Sequence, residues 1–171
     1  AWLDLDSNGN WGEVADHVID DLPLGAGVHS LSFPIPAGAT LGQTYARFRV
    51  NSIGNLSYDG LALDGEVEDY SILISQNVEV PLPTGQSNNI VIRRNGDQLE
   101  VVDQNGPVVL SSTPIATTNS LIVTGSDTEI DTIVIDLTAG GVFELLEGIE
   151  VLGGGNLGDS LTIIGDGTTQ A

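Results

Sequence analysis

The feature that most constrains the fold of this chain is the close spacing of its glycine-rich turns. The 171 residues include 22 glycines, and Asn-Gly, Asp-Gly and Gly-Gly steps, which favour tight turns, recur throughout. No segment sustains a 3.6-residue apolar period; the nearest, residues 142–149, is short and flanked by glycines. Aromatic residues make up only 5%, so the core must consist of Val, Ile and Leu, which suit strands. The sequence therefore predicts an all-β protein.

The charge balance is extreme, with 24 acidic residues against four arginines and a net charge of −20. Nucleic acid is excluded as a partner, because phosphate binding needs clustered cations. Such a charge opposes a compact chain unless counterions bind. Two interpretations remain: a solvated acidic surface, or acidic clusters that divalent cations neutralise. The chain has no cysteine, hence neither disulfides nor thiolate metal sites, and no apolar run of membrane-spanning length.

Residues 1–75 are predicted to form an antiparallel β-sandwich domain. Apolar alternation in 45–50 places Ala46 and Phe48 on one face of a strand, and Arg47 and Arg49 on the other. The strand count is low for a sandwich, which normally has about seven. The predicted strands lie near residues 1–6, 29–33, 45–50 and 67–74.

Residues 76–89 are predicted to be a linker, because Pro81 and Pro83 cannot occupy a central strand. Residues 90–171 contain an internal repeat with an offset of 28. Residues 121–125 align with 149–153, and residues 131–135 align with 159–163. A looser copy begins at Ile90.

Roughly three copies of 28–31 residues predict the coils of a β-solenoid, in which each repeat buries its apolar face against its neighbours. The alternative is a set of β-hairpins in a second β-sandwich. The segment between the two strands of the second copy, residues 153–159, also resembles the Gly-rich nonapeptide of calcium-binding β-rolls, but it occurs once. A plain turn explains it better.

The loop after the first predicted strand carries the pattern of a calcium site. Oxygen-bearing side chains alternate at Asp4, Asp6 and Asn8, and Gly9 then allows a sharp turn. Calcium takes six to eight oxygen ligands, including backbone carbonyls. The sequence therefore predicts that Ca²⁺ is the bound cofactor, the alternative being a plain Asx-rich turn. The predicted metal ligands are Asp4, Asp6, Asn8, the carbonyl of Asn10, and Asp16.

A second acidic cluster, residues 64–69, holds Asp64, Glu66, Glu68 and Asp69. Adjacent carboxylates repel one another unless a cation lies among them. Arginines from a neighbouring strand could pair with them across the sheet. The alternative is a metal site shared with the Asp4 loop. The predicted ion-pair residues are Arg47, Arg49, Glu66, Glu68 and Asp69.

Residues 1–74 resemble the C-terminal part of the GEVED domain family. Its naming motif is similar to Gly-Glu-Val-Glu-Asp-Tyr at 65–70, and further similarities are Ala-Trp-Leu-Asp at 1–4, Pro-Ala-Gly-Ala-Thr at 36–40 and Tyr-Ala-Arg-Phe-Arg-Val at 45–50. The resemblance implies a β-sandwich module of large secreted bacterial surface proteins. It also implies family strands before Ala1, or their supply by another chain. The repeats after residue 119 are similar to those of very large bacterial surface proteins.

Catalysis finds no support in the sequence. It has no lysine, no cysteine, and neither a nucleophile-elbow nor a zinc-protease motif. His17 and His29 are isolated. We expect a calcium-stabilised structural or adhesive module at the cell surface or outside the cell. Its expected partners are copies of itself in a head-to-tail filament, or neighbouring domains. The alternative is a carbohydrate-binding module, which would need exposed aromatic side chains on one face.

Overall fold

The computed structural model describes residues 1–165 and separates the chain into two compact units, with the boundary after Ile74. The prediction of an all-β fold is confirmed, since every regular element described is a strand or a single turn of 3₁₀ helix. Among these residues no helix has the length and hydropathy needed to cross a membrane. The first unit contains β1 (Trp2–Leu3), a 3₁₀ turn (Val14–Asp16), β2 (Gly42–Val50) and β3 (Glu66–Ile74).

The first unit is built on one antiparallel sheet with the strand order β1-β2-β3. Ala46 in β2 lies opposite Leu3 on one side and Tyr70 on the other. Because directly opposed residues share a face, Ala46, Leu3 and Ile74 form one buried surface. Leu5 completes this core. The partly buried residues packed against it are Val18, Phe33, Ala39 and Ile72.

Two expectations for this unit are wrong. Residues 29–33 form no strand, although Phe33 still packs on the core. Pro34 and Pro36 follow directly and have no backbone N–H to give to a ladder, which explains the irregular path. Residues 1–74 also form a single three-stranded sheet, so they do not make the two facing layers of a sandwich.

The second unit contains two sheets. Their strand orders are β10-β8-β4 and β11-β9-β5-β6-β7, with parallel pairing everywhere except in the β5-β6-β7 meander. The strands are β4 (Gln76–Pro81), β5 (Asn89–Asn95), β6 (Gln98–Asp103), β7 (Val108–Pro114), β8 (Thr118–Thr124), β9 (Thr132–Asp136), β10 (Gly148–Leu152) and β11 (Ser160–Ile164), with a 3₁₀ turn at Ile115–Thr117.

The 28-residue offset is the pairing register of the last four strands. Leu121 in β8 lies opposite Ile149 in β10, and Ile133 in β9 lies opposite Leu161 in β11. The connecting loops keep the same offset, because the Gly155 N–H donates to Asp127 Oδ1 over 2.9 Å. Residues 120–136 and 148–164 are therefore two copies of one repeat whose strands pair in parallel. The sheets are neither closed nor curled, so the solenoid stays a prediction.

The earlier copy differs from the expectation. Val78 in β4 lies opposite Leu121, and Ile90 in β5 lies opposite Ile133, so its offset is 43 residues. The β6–β7 hairpin is inserted after β5 and accounts for the longer offset.

The prediction of a linker over residues 76–89 is wrong in part, because its first residues form β4, with Val80 buried. Pro81 is tolerated because β4 is an edge strand.

Two aspartates connect successive repeats through hydrogen bonds. Asp131 is fully buried, and its Oδ1 accepts hydrogen bonds from the Asn88 backbone N–H and side-chain amide at 3.1 and 2.8 Å. The backbone N–H of Asp131 donates in turn to Asp159 Oδ1, 28 residues further along the chain, over 2.8 Å. Apolar side chains form the core between the sheets: Val80, Leu82, Ile90, Ile92, Leu99, Val101, Leu121, Val123, Ile133 and Ile135.

Substitutions at two glycines can measure how closely the repeats pack against each other. Gly154 and Gly141 have similar positive φ angles, +92° and +90°, but a Cβ on Gly154 would lie 2.2 Å from the Ser126 carbonyl oxygen, whereas Gly141 faces open space. We expect Gly141→Ala to lower the free energy of unfolding by about 1 kcal/mol through backbone strain alone. Gly154→Ala should cost at least twice as much. Urea denaturation followed by circular dichroism measures both; equal losses would contradict tight stacking.

Candidate functional site

The loop that follows β1 is wound around the carboxylate of Asp4. This side chain is buried, and its two oxygens accept the backbone N–H groups of Asn8 and Gly9 at 3.0 and 2.9 Å. Gly9 permits the turn, with φ at +82°. The Asp4 carbonyl accepts the Thr44 hydroxyl over 2.6 Å, which anchors the loop to β2.

The other side chains of the loop lie at the surface. Asp6 Oδ1 accepts the Asn8 N–H at 3.2 Å, and Asp6 Oδ2 accepts the Asn8 side-chain amide at 2.9 Å. Asn10 Oδ1 accepts the Gly12 N–H at 3.0 Å. These are Asx turns, in which a side-chain oxygen replaces a backbone acceptor. Asp6, Asn8 and Asn10 therefore shape the loop and keep their remaining oxygen lone pairs near the solvent.

Asp16 differs from every other acid in the loop. Only 1% of its surface is exposed, and its Oδ1 accepts the Leu5 N–H at 3.1 Å. Its Oδ2 is buried without any hydrogen-bond partner. Buried carboxylate oxygens normally have partners, so a proton or a cation at this oxygen would stabilise the fold.

Glu13 also belongs to this site, and the sequence analysis missed it. Its carboxyl group lies beside that of Asp16, and its Oε1 accepts the Asn8 side-chain amide at 3.1 Å. Glu13 directly precedes the 3₁₀ turn and Asp16 is its last residue, so the two acids stand at positions i and i+3, which lie on one side of such a turn. The three-residue spacing of Glu13 and Asp16 is the sequence pattern from which this pair could have been predicted.

The two carboxyl groups perturb each other. Burial, followed by the Glu13 contact, raises the pKa of Asp16 to about 6. The same contact is the largest cause of a lowered pKa for Glu13. The pair therefore holds a proton more readily than two separate acids do. A bound cation would serve the same purpose.

The predicted calcium ligands lie in one loop but do not form a ready-made cage. Within residues 1–165, no three His, Asp or Glu side chains are gathered as a metal centre. The carboxylates of Asp4 and Asp6 are instead occupied by N–H groups of their own loop. Calcium also accepts amide and carbonyl oxygens, so a site here would combine these with the carboxylates.

Arg47 is the centre of a second polar cluster. Its guanidinium donates to both carboxylate oxygens of Asp69 at 2.7 Å, and to the Tyr58 carbonyl at 3.1 Å. It also lies over the Trp11 ring, 4.2 Å from the centroid. The Arg47 guanidinium lowers the pKa of Asp69. One side chain thus joins two strands and two loops.

Arg49 was expected to pair with an acid and does not. It donates to the backbone carbonyl oxygens of Ser57 and Gly60 at 2.6 and 2.8 Å, and to that of Asp59. Arg49 therefore clamps the loop that precedes β3. A guanidinium carries five donors in a planar fork, which suits several converging carbonyl groups.

The expected pairing of Glu66 and Glu68 with the arginines is wrong. Glu66 lies opposite Val50 and Glu68 lies opposite Phe48, so both glutamates occupy the sheet face away from Arg47 and Arg49. They lie together without a cation, and Glu66 raises the pKa of Glu68. Neither glutamate joins a metal-binding group within the residues described.

Comparison with known proteins gives one match. Residues 1–73 match the family model of the GEVED domain. The matched residues include the Asp4 loop, Asp16 and the Arg47–Asp69 pair. No curated protein and no solved structure matches this chain.

The two faces of β3 allow a matched test of the Arg47 cluster. Asp69→Asn removes the ionic partner of Arg47, and we expect it to lower the free energy of unfolding by about 1 kcal/mol or somewhat more, since the pair is partly exposed. Glu68→Gln, one residue away on the other face, removes a repulsion and should leave stability unchanged or raise it. Thermal melts of both variants measure the difference. Equal destabilisation would contradict the assignment.

The Arg47–Asp69 pair also predicts a pH dependence. The pKa of Asp69 is lower in the folded state than its ordinary value of 3.8, so the folded state binds the proton less well than the unfolded state does. The stabilisation is therefore complete above that ordinary value and is lost as the pH falls through the folded pKa. Denaturation of the wild-type chain at pH 7 and below pH 3 should show this loss, and Asp69→Asn should show less of it.

Proposed function

We propose that the chain is a calcium-stabilised structural or adhesive module of an extracellular bacterial surface protein, without catalytic activity. The observation that carries the proposal is the unpaired Oδ2 of Asp16. It lies beside a second carboxyl group, that of Glu13, next to a loop rich in oxygen ligands. A divalent cation would satisfy both acids at once.

The calcium site would use side chains already close together. Asp16 would supply its unpaired Oδ2 and Glu13 its neighbouring carboxylate, and the Asp4 loop would supply the other ligands. Bound there, calcium would connect the loop to the 3₁₀ turn and lower the local negative charge. The loop would contribute Asp4, Asp6, Asn8 and the carbonyl of Asn10.

The character of this site supports a location outside the cell. Asp6, Asn8 and Asn10 are exposed, and no complete cage exists among the described residues. Sites of modest affinity, with dissociation constants of roughly 0.1–1 mM, are typical of extracellular modules. A chain with a net charge of −20 would also gain from a calcium-rich medium.

The histidines support a non-catalytic role. His17 stacks on Trp2, with ring centroids 4.6 Å apart, and its Nε2 lies 3.7 Å from Asp20. His29 Nε2 contacts the Gly25 carbonyl at 2.8 Å. In the described part of the chain, neither histidine contacts a serine or threonine hydroxyl that it could activate.

Carbohydrate binding receives less support. A sugar platform needs aromatic rings on one surface, but Tyr45 and Tyr70 lie on opposite faces of the first sheet. Trp2 is buried, and Arg47 covers the Trp11 ring. The aromatic side chains thus favour a structural role over glycan recognition.

Assembly through sheet edges is part of the proposal. β3 is a nine-residue edge strand, and exposed edges recruit strands from neighbours. This edge also carries Glu66, Glu68 and Asp69, and such charges oppose pairing between identical edges. We therefore favour contacts with neighbouring modules over pairing of β3 with its own copy.

Calcium removal tests the proposal. Calcium at about 100 times its dissociation constant would stabilise the native state by about 2.7 kcal/mol. For a unit of this size that corresponds to a rise in melting temperature of roughly 10–20 °C. We expect the wild-type chain to show this rise in CaCl₂ relative to chelator.

Two controls separate binding at Asp16 from charge screening. Asp16→Asn should lose the calcium response and, in chelator, be at least as stable as the wild-type chain, because it removes an unpaired buried charge. Asp20→Asn, at an exposed acid nearby, should keep the response. MgCl₂ at equal ionic strength should give a smaller shift, since magnesium loses water reluctantly. A wild-type melt that does not respond to calcium would refute the site.

A further inference from the structure

We propose that the folded chain resists trypsin-like proteases, because every bond that these enzymes could cleave lies in a central strand of one of its two units. Trypsin-like proteases cleave after arginine or lysine, whose side chain enters an acidic pocket of the enzyme. The chain has no lysine, and β2 and β5 each hold two of its four arginines. The four residues are Arg47, Arg49, Arg93 and Arg94.

The central position of these two strands is the main barrier to cleavage. A protease binds its substrate as an extended segment held by backbone hydrogen bonds, in the manner of an added strand. Exposed loops can supply such a segment, and proteolysis therefore concentrates in loops. β2 lies between β1 and β3, and β5 lies between β9 and β6, so their backbone groups already have partners. Either strand must leave its sheet before a protease can bind it.

The two arginine side chains of β2 are also engaged within the first unit. Arg47 lies opposite Trp2 in β1 and Asp69 in β3, and its guanidinium binds both carboxylate oxygens of Asp69. Arg49 lies beyond the end of β1 and pairs with β3 alone. Its guanidinium donates to three backbone carbonyl groups within residues 57–60. Neither guanidinium is therefore free to enter the pocket of a protease.

The two cleavable bonds of β5 are shielded by neighbouring backbone. Arg93 lies opposite Glu100 in β6 and Asp136 in β9, and it donates twice to the Glu100 carboxylate, at 3.1 and 2.9 Å. The carbonyl group of Arg94 lies so close to Gly140 that a Cβ on Gly140 would be 2.2 Å from its oxygen. A serine protease must bring its hydroxyl to the carbonyl carbon of the bond that it cleaves. The segment around Gly140 blocks that approach.

Cleavage must therefore proceed through the unfolded form of the unit that holds the arginine. When a unit refolds faster than the protease cleaves it, the rate of cleavage follows the population of the unfolded form. A module outside the cell would gain a longer lifetime from this arrangement. That benefit rests on the proposed location, whereas the resistance itself depends neither on the location nor on calcium.

Digestion of the full chain with trypsin, in buffer without added calcium, tests the inference. The wild-type chain is compared with Val28→Arg and Leu146→Arg, which place an arginine in a loop of the first and the second unit. Both original side chains are almost fully exposed, so neither substitution removes packing. We expect each variant to be cleaved at the new arginine at least about 100 times faster than the wild-type chain is cleaved anywhere. Mass spectrometry of the fragments identifies the cleaved bonds.

Two results would overturn the inference. In one, trypsin cleaves the folded wild-type chain within about tenfold of the rate at the loop arginines, which would show that β2 or β5 opens locally. In the other, the loop variants resist trypsin as well as the wild-type chain does, so the placement of arginine in strands is not the cause. A failed calcium response would leave both comparisons unchanged, because no calcium is added.

Discussion

The shortage of positive charge is the constraint on which the rest of the structure depends. Four arginines accompany 24 acidic residues, and all four are used inside the protein. Arg47 and Arg49 hold the loop that precedes β3. In the second unit, Arg93 donates twice to Glu100, and Arg94 donates to the Gly96 carbonyl over 2.7 Å. Arginine therefore connects elements and leaves most acids to other partners.

At several ordered aspartates, backbone N–H groups donate to the carboxylate in place of a cation. Asp4 accepts such hydrogen bonds within the first loop, and Asp131 accepts them from two segments of the second unit. Asp136 accepts the N–H groups of Thr138 and Ala139 at 2.9 and 3.2 Å. Charge-assisted hydrogen bonds of this kind are short and strong. The acids are thus structural parts of the turns, and this explains why a glycine-rich chain with few cations forms defined loops.

Asp16 is the exception to this pattern, because a buried carboxylate oxygen there has no donor. Neither an arginine nor a backbone N–H reaches it, and its neighbour Glu13 is another acid. We therefore infer calcium binding from Asp16 Oδ2 and not from the number of acids in the chain. Among residues 1–165 it is the one buried carboxylate oxygen without a hydrogen-bond donor.

Sequence patterns predicted the features that depend on periodicity. The repeat offset of 28 is the register of β8 with β10, and the alternation in 45–50 separates Ala46 from Arg47 on β2, although Phe48 on the Ala46 face is exposed. Features that depend on tertiary placement were missed. The motif at 65–70 contains Glu66, Glu68 and Asp69 in one run, but the pleat sends only Asp69 towards Arg47.

Other differences between the predictions and the structure also arise from tertiary placement. The sequence predicts a linker at β4 because proline is disfavoured in a central strand. In the structure β4 is an edge strand, where proline is tolerated. Glu13 was overlooked because a 3₁₀ turn of three residues leaves almost no periodic signal. Such short elements are specified by their surroundings more than by their own composition.

A crystal structure of the chain grown in CaCl₂ tests the central claim most directly. We expect one anomalous calcium peak at about 2.3–2.6 Å from Asp16 Oδ2, the usual calcium–oxygen distance. Glu13 and the Asp4 loop should supply the other ligands. Density that leaves Asp16 Oδ2 without a metal neighbour, at a calcium concentration that raises the melting temperature, would contradict it.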